Sequence, residues 1–254
     1  MYFASAYFGV RQALEIDCLR YAIDRVSEER REYYLYALIL AASHCAASPG
    51  HFAQYLVPRD EKNTLYIARM RRRSVVDRFW TALQHLRVPR CFDRKGNQAF
   101  QSDATELLTS MAHPKTALTS NNLVIYADPP YSKAQYSRYY HVLETLVLYD
   151  YPDATDKGRY RDGRFETDFS RKARVEVAME AFVEAAAATG APLYLSYPRN
   201  GLLFGHGGDL LEIMRIHYPC VRVVATAPLN HSTMGGAPGS ASVNVTEDVY
   251  YGSR

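Results

Sequence analysis

A chain of 254 residues with 48% hydrophobic content has the composition of an ordinary soluble globular protein, long enough for one large domain or a domain with a small insertion. A net charge of only +3 excludes a generally basic coat, so any nucleic-acid surface must be a local patch. No signal peptide and no apolar run of membrane length occurs, and the four cysteines at positions 18, 45, 91 and 220 form no C-x-x-C pair; the expected setting is a reduced cytoplasm without a membrane. The 21 tyrosines against one tryptophan supply rings with polar tips, suited to wet stacking surfaces as well as to cores.

In chain order, Val10, Leu14, Leu19, Ile23 and Val26 recur at three to five residues and predict an amphipathic helix within Tyr7 to Val26. Ser27-Glu28-Glu29-Arg30 offers a cap, and a second helix runs to about Ala47, where Ser48-Pro49-Gly50 stops it. His44, Cys45 and His51 match no usual zinc spacing, so no metal is expected. Between Pro58 and Arg73 the residues Arg59, Lys62, Arg69, Arg71, Arg72 and Arg73 surround Tyr66, a basic run able to neutralise phosphates and position a duplex without reading its sequence. Val75 to Leu86 reads as a further helix carrying Trp80. Asp103, with Glu106 three residues on, has the pattern of an N-cap opening a helix from Ala104 to about His113.

The informative stretch is Leu123 to Leu146. Leu123, Val124, Ile125, Tyr126 and Ala127 form an apolar, β-prone run that leads directly into Asp128-Pro129-Pro130-Tyr131, followed by a polar aromatic loop and a helix from near His141. Such a tetrapeptide suits methylation of an exocyclic amine. The amino nitrogen of adenine is a poor nucleophile because its lone pair is delocalised into the ring. An Asp128 carboxylate and the Pro129 carbonyl would accept its two N–H groups and polarise the nitrogen toward a methyl donor. The prolines keep that carbonyl outside any ladder, and Tyr131 would stack on a base extruded from its duplex.

This stretch resembles the adenine-specific N6 DNA methyltransferases of the Asp-Pro-Pro-Tyr type, in particular the Dam-like bacterial branch. There a Gln-Tyr-Ser and a Tyr-His-x-Leu-Glu run follow the tetrapeptide, here Gln135-Tyr136-Ser137 and Tyr140-His141-Val142-Leu143-Glu144; Gly50-His51-Phe52-Ala53 and Tyr55-Leu56 extend the likeness upstream. The resemblance implies a Rossmann-like α/β fold with a mostly parallel sheet, S-adenosylmethionine (SAM) as cofactor, and double-stranded DNA as partner within a restriction-modification context. It places Asp128, Pro129, Pro130 and Tyr131 at the catalytic centre and Asp103, Ala104 and Asp128 against the cofactor, Asp103 at a strand end. Substrate contacts fall to Tyr131, Lys133, Gln135, Tyr136, Ser137, Tyr140, Tyr197, Arg71, Arg72 and Arg73. Asp rather than Ser before Pro-Pro leans toward adenine over cytosine N4, and an RNA amino-methyltransferase stays open.

Downstream, Ser132 to Tyr140 has the donors and rings of a mobile lid or substrate clamp. Tyr149 to Arg174 is a polar, arginine-rich stretch, either an insertion touching DNA or a flexible loop, and Val175 to Ala188 an alanine-rich helix ended by Gly190. A strand at Leu193 to Tyr197, a loop at Gly201 to Gly208, a helix from about Asp209 to His217 and a strand at Val221 to Thr226 follow. His231 to Ser240 reads as a loop, and Ser242 to Tyr251 as a last strand, antiparallel at the sheet edge. Residues 1–98 thus form a helical, basic region and 99–254 the catalytic α/β region of one domain with helices on both faces of its sheet. The Phe-x-Gly-x-Gly turn that accepts the methionine end of SAM is missing before Asp128, where the glycines are Gly9, Gly50 and Gly96, well apart; in a permuted order the Gly201 to Gly208 loop is its candidate. The expectation is a methyltransferase domain lacking its first strand, from a truncated reading frame or completed by a second polypeptide, with a non-catalytic nucleic-acid-binding subunit as the rival reading.

Overall fold

Small side chains decide how the first helices meet. In the computed structural model, which describes residues 2–86, 97–112, 123–232 and 242–254, the helices are α1 (Val10–Ile23), α2 (Glu28–Cys45), α3 (Glu61–Arg72), α4 (Val75–Leu86), α5 (Ala104–Ala112), α6 (Ser137–Leu148), α7 (Val175–Ala188) and α8 (Leu210–His217). The strands are β1 (Ile125–Ala127), β2 (Ala154–Thr155), β3 (Tyr160–Arg161), β4 (Leu193–Pro198), β5 (Cys220–Ser232) and β6 (Ser242–Ser253). On α2 the buried Ala37, Ala41 and Ala42 let α4 approach closely and insert Val75, Phe79 and Ala82, which recur at helical spacing. Two compact units result: described residues up to 86 together with 136–165 make one, and 97–112, 123–135, 166–231 and 242–254 make the other.

The first unit closes around a buried polar hub. His141 on α6 is fully buried, and its Nε2–H donates to the Phe52 carbonyl at 2.8 Å. Because a carbonyl can only accept, Nε2 carries the proton and Nδ1 is bare; Nδ1 has no partner among the described residues. The Tyr7 hydroxyl meets the same carbonyl at 2.6 Å, with the Gly158 carbonyl at 3.0 Å. Phe3, Tyr7 and Tyr160 present ring edges to the imidazole with centroids 5.7, 6.0 and 5.0 Å away. At the far end of α6 the buried Arg20 donates to the carbonyls of Leu146 and Val147, and its guanidinium lies 4.7 Å from the Tyr149 ring. One arginine therefore satisfies helix-terminal acceptors and opposes the negative end of the helix dipole.

The second unit is a four-stranded sheet in the order β1-β4-β6-β5. β1 runs parallel to β4 with Ala127 opposite Leu195, whereas β4 and β6 are antiparallel with Leu195 opposite Tyr250. Strand alternation turns Leu193, Leu195, Tyr197 and Tyr250 to one face, where Val175, Met179, Phe182 and Val183 of α7, Leu210, Ile213 and Met214 of α8, and Leu108 of α5 cover them. Tyr194 and Tyr251 pair on the other face with ring centroids 4.9 Å apart. Tyr126, opposite Tyr194, is 67% exposed.

The expected mostly parallel sheet is in fact mixed, and the last strand is not at the edge. β5 and β6 are neighbours in both sequence and sheet, so β6 enters between β4 and β5. No strand precedes Asp103 in residues 97–103, which corrects its expected place at a strand end. Among the described residues β1 has a strand neighbour on one side only. The loop expected at His231 to Ser240 lies, apart from its first two residues, outside the described residues.

The hub makes the first unit acid-sensitive. Burial pushes the His141 pKa from 6.5 down to about 4, against the Phe52 carbonyl and with help from Arg164, Arg161 and Arg138. The unfolded chain binds a proton below 6.5 that the folded one refuses until about 4, so this stability is complete above 6.5 and declines as pH falls through that window, by at most about 3 kcal/mol. His141→Gln keeps a donor for Phe52, and its Tm measured across the same pH range should fall less steeply than the wild type's.

Candidate active site

β1 ends at Ala127, and Asp128 follows as an exposed residue at the carboxyl end of a parallel pair, where open α/β sheets take their ligands. Pro129 is buried, while Pro130 and Tyr131 are half-buried; the Tyr131 ring packs on the second core. The turn after β4 holds this segment in place: Leu202 N–H donates to the Tyr131 carbonyl at 2.7 Å, and Leu203 N–H donates to the buried Tyr197 hydroxyl at 3.2 Å. The turn passes so close to Tyr197 that a Cβ on Gly201 would lie 2.3 Å from that ring and 2.9 Å from the Pro198 carbonyl oxygen, so glycine is required there for space.

The loop beyond Tyr131, expected as a mobile lid, is tied down within the second unit. The Gln135 side chain exchanges two hydrogen bonds with the Thr167 backbone, and Ser170 Oγ donates to the Ala134 carbonyl. Lys133 is exposed. Tyr197 is fully buried at the level of the core, and burial raises its pKa.

Asp103 Oδ1 accepts the N–H groups of Thr105 and Glu106 at 2.8 and 3.2 Å and so caps α5; Asp103 and Ala104 are both exposed. The residues fit SAM only in part. An exposed Asp103 carboxylate retains an oxygen for polar groups of a nucleoside, but the described residues contain no Phe-x-Gly-x-Gly sequence for an amino-acid end. Among them no group of three or more His, Cys, Asp or Glu side chains could hold a metal ion, and no helix is long and apolar enough to cross a membrane.

A second cluster at the end of β4 was not anticipated from the sequence. Arg199 binds Asp248 through two contacts at 2.7 and 3.1 Å, Thr226 Oγ1 adds a third at 2.6 Å, and Ser196 Oγ meets Glu247. The hydrogen bond from Arg199 holds the Asp248 carboxyl below the usual carboxylate range, against the effect of its burial. The only sequence sign was an acidic pair, Glu247-Asp248, inside the strand Ser242–Ser253.

The remaining candidates belong to the first unit. Tyr140 is 54% exposed and Tyr136 half-buried, whereas Ser137 is buried with no partner for its hydroxyl among the described residues. The three arginines at the end of α3 differ. Arg71 reaches the Ser5 carbonyl at 3.2 Å and Arg73 the His44 carbonyl at 2.5 Å, while Arg72 is exposed. Gln12 and Arg11 satisfy the carbonyls of Met70, Arg72 and Arg73 in turn. Lys62, Arg69 and Arg72 are exposed along α3, with Arg69 lying over the Tyr66 ring at 5.2 Å.

Comparison with known proteins bears on this geometry. The chain is 26% identical over 218 residues to the type II methyltransferase M.FokI of Planomicrobium okeanokoites, covering 83% of this chain and 29% of that protein. It is 25% identical over 217 residues to the modification methylase StsI of Streptococcus sanguinis (82% and 29%), and 25% identical over 206 residues to the type II methyltransferase M.NlaIII of Neisseria lactamica (78% and 52%). The chain is thus similar to proteins described as type II methyltransferases and modification methylases. It spans about a third to a half of the length of these relatives. No protein-family model and no solved structure matches it.

The division among the α3 arginines is measurable. Arg71→Gln and Arg73→Gln should each lower unfolding stability by about 1 kcal/mol through lost carbonyl contacts. Arg69→Gln and Arg72→Gln should stay within about 0.5 kcal/mol of wild type in urea unfolding.

Proposed function

We propose that this chain carries the catalytic segment of a SAM-dependent DNA adenine N6-methyltransferase. The observation that supports this most directly is the Asp128-Pro129-Pro130-Tyr131 segment at the carboxyl end of a parallel strand, its acid exposed and its Tyr131 carbonyl held by Leu202 N–H, in a chain similar to a type II methyltransferase. In this reading Asp128 accepts one N–H of the target amine and the Pro129 carbonyl the other, and the lone pair is released from the ring toward the methyl group that SAM supplies when bound. The Tyr131 ring stacks on the extruded base. Asp103 contacts the nucleoside end of SAM through the oxygen that does not cap α5. Of the basic residues expected from the sequence, the exposed Lys62, Arg69 and Arg72 serve as phosphate contacts.

The one-sided β1 edge supports a further element of this reading. A parallel strand added there, in a second polypeptide or another segment, would bring the glycine turn that accepts the amino-acid end of SAM. A non-catalytic, base-stacking subunit is the second reading, favoured by the absence of a Phe-x-Gly-x-Gly sequence from residues 1–254. Ultraviolet crosslinking of labelled SAM to the chain in an active assembly separates the two.

Asp128→Ala should reduce methyl transfer to duplex DNA at least about tenfold, since it removes a charged acceptor from the reacting amine. Its circular dichroism and duplex affinity should match wild type. Transfer retained above that level would remove the acceptor role.

Arg69→Gln combined with Arg72→Gln should weaken duplex binding about equally on all sequences and lower the slope of log K against log salt by about 0.9 per lost contact. An unchanged slope would mean that these guanidinium groups meet no phosphate.

A further inference from the structure

We infer that Gln135 is a positioning residue for the Asp128 segment: its side-chain amide, docked on Thr167, sets the loop that carries the proposed reacting groups. The inference rests on the reading given under Proposed function and assigns Gln135 a role other than substrate contact.

Gln135 Oε1 accepts the Thr167 N–H at 2.9 Å and Nε2 donates to the Thr167 carbonyl at 3.1 Å. One amide thus occupies both backbone groups of a single residue, as a neighbouring strand would. Only a side chain with a donor and an acceptor on one planar head can do this. Glutamate would set a second oxygen against the Thr167 carbonyl, and asparagine is one methylene shorter. Ser170 Oγ adds a contact to the Ala134 carbonyl at 3.2 Å, and Leu202 N–H holds the Tyr131 carbonyl at the other end. The segment from Tyr131 to Gln135 is therefore fastened at both ends and between.

The anchor is itself rigid. Thr167 Oγ1 accepts the Phe169 N–H at 3.3 Å, and the tight turn Asp168–Ser170 leads into α7 through Val175 N–H, bonded to the Arg171 carbonyl at 2.9 Å. Phe169 meets Phe182 edge-on at 6.2 Å, and Val175 is fully buried. The start of α7, which is set in the core under β4, thereby fixes where the loop after β1 runs. A substrate-contacting Gln135 would instead need its amide available to a ligand, whereas both its acceptor and one donor are already used.

The test compares Gln135→Glu, Gln135→Ala, Ser170→Ala and Asp128→Ala on the full chain, in the assembly in which wild type methylates duplex DNA. A misplaced loop costs turnover more than binding, so both Gln135 variants should lose about 10- to 100-fold in kcat while the KM for DNA changes less than about threefold. Gln135→Glu should regain activity relative to wild type as pH falls from about 8 to about 4.5, because a protonated carboxyl again donates to the Thr167 carbonyl; Gln135→Ala should not. Hydrogen exchange of the amides at 131–135 should quicken about tenfold in Gln135→Ala and stay unchanged in Lys133→Ala.

A raised KM with kcat intact would make Gln135 a DNA contact and overturn the inference, as would unchanged kcat and exchange. If the Gln135 variants fail to fold, Ser170→Ala decides through the same exchange and kcat measurements: no change in either overturns the inference. An active Asp128→Ala would instead sink the proposed function, which keeps the two failures distinct.

Discussion

A parallel pairing three residues long cannot hold itself, and the second unit is arranged around that constraint. β1 contributes Ile125, Tyr126 and Ala127 to the ladder with β4 and nothing more. The acid that follows is useful only if its position is fixed, so the fixing has to come from outside the ladder. It comes from the turn after β4, which bonds Tyr131, and from the start of α7, which bonds Ala134 and Gln135. Both anchors are extensions of elements that bury their own apolar faces in one core, through Leu193, Leu195, Met179 and Phe182. The hydrophobic effect holds β4 and α7 together, and a few directional hydrogen bonds carry that rigidity to the loop.

The first unit uses its cations differently from what a basic composition suggests. Arg20, Arg71, Arg73 and Arg159 each donate to main-chain carbonyls that the helices and turns leave over. A guanidinium stays charged when half-buried and offers five donors in a fixed fork, so it can serve two acceptors at once, as Arg159 does with Tyr2 and Ala4. Other cations of the unit stay exposed, among them Lys62, Arg69 and Arg72 on α3.

Much of this was legible in the sequence, for identifiable reasons. α4 and α7 match the apolar spacing to the residue, and Asp103 and Asp209 cap the helices they precede, because amphipathic period and capping are local properties. The likeness to methyltransferases was read from Asp128 to Glu144. Sheet order was not: whether Ser242–Ser253 lies at the edge or between two strands depends on partners far away in the chain. The fate of each arginine was hidden too, since a run at 71–73 turns successive residues to different sides of a helix end. The Gln135 bond to Thr167 spans 32 positions and leaves no pattern in either segment.

Gly201 has no chemistry of its own, yet the space around it is closed on one side by the Tyr197 ring and on the other by the Pro198 carbonyl. Any side chain there would displace the turn whose next amide holds Tyr131. In terms of mutational tolerance, Gly201 would stand beside Asp128 as a position that accepts almost nothing, and a scan of variants scored by activity alone would mark it as catalytic. Spatial intolerance and chemical participation look alike in such a map, and separating them requires the distance from a missing Cβ to its neighbours.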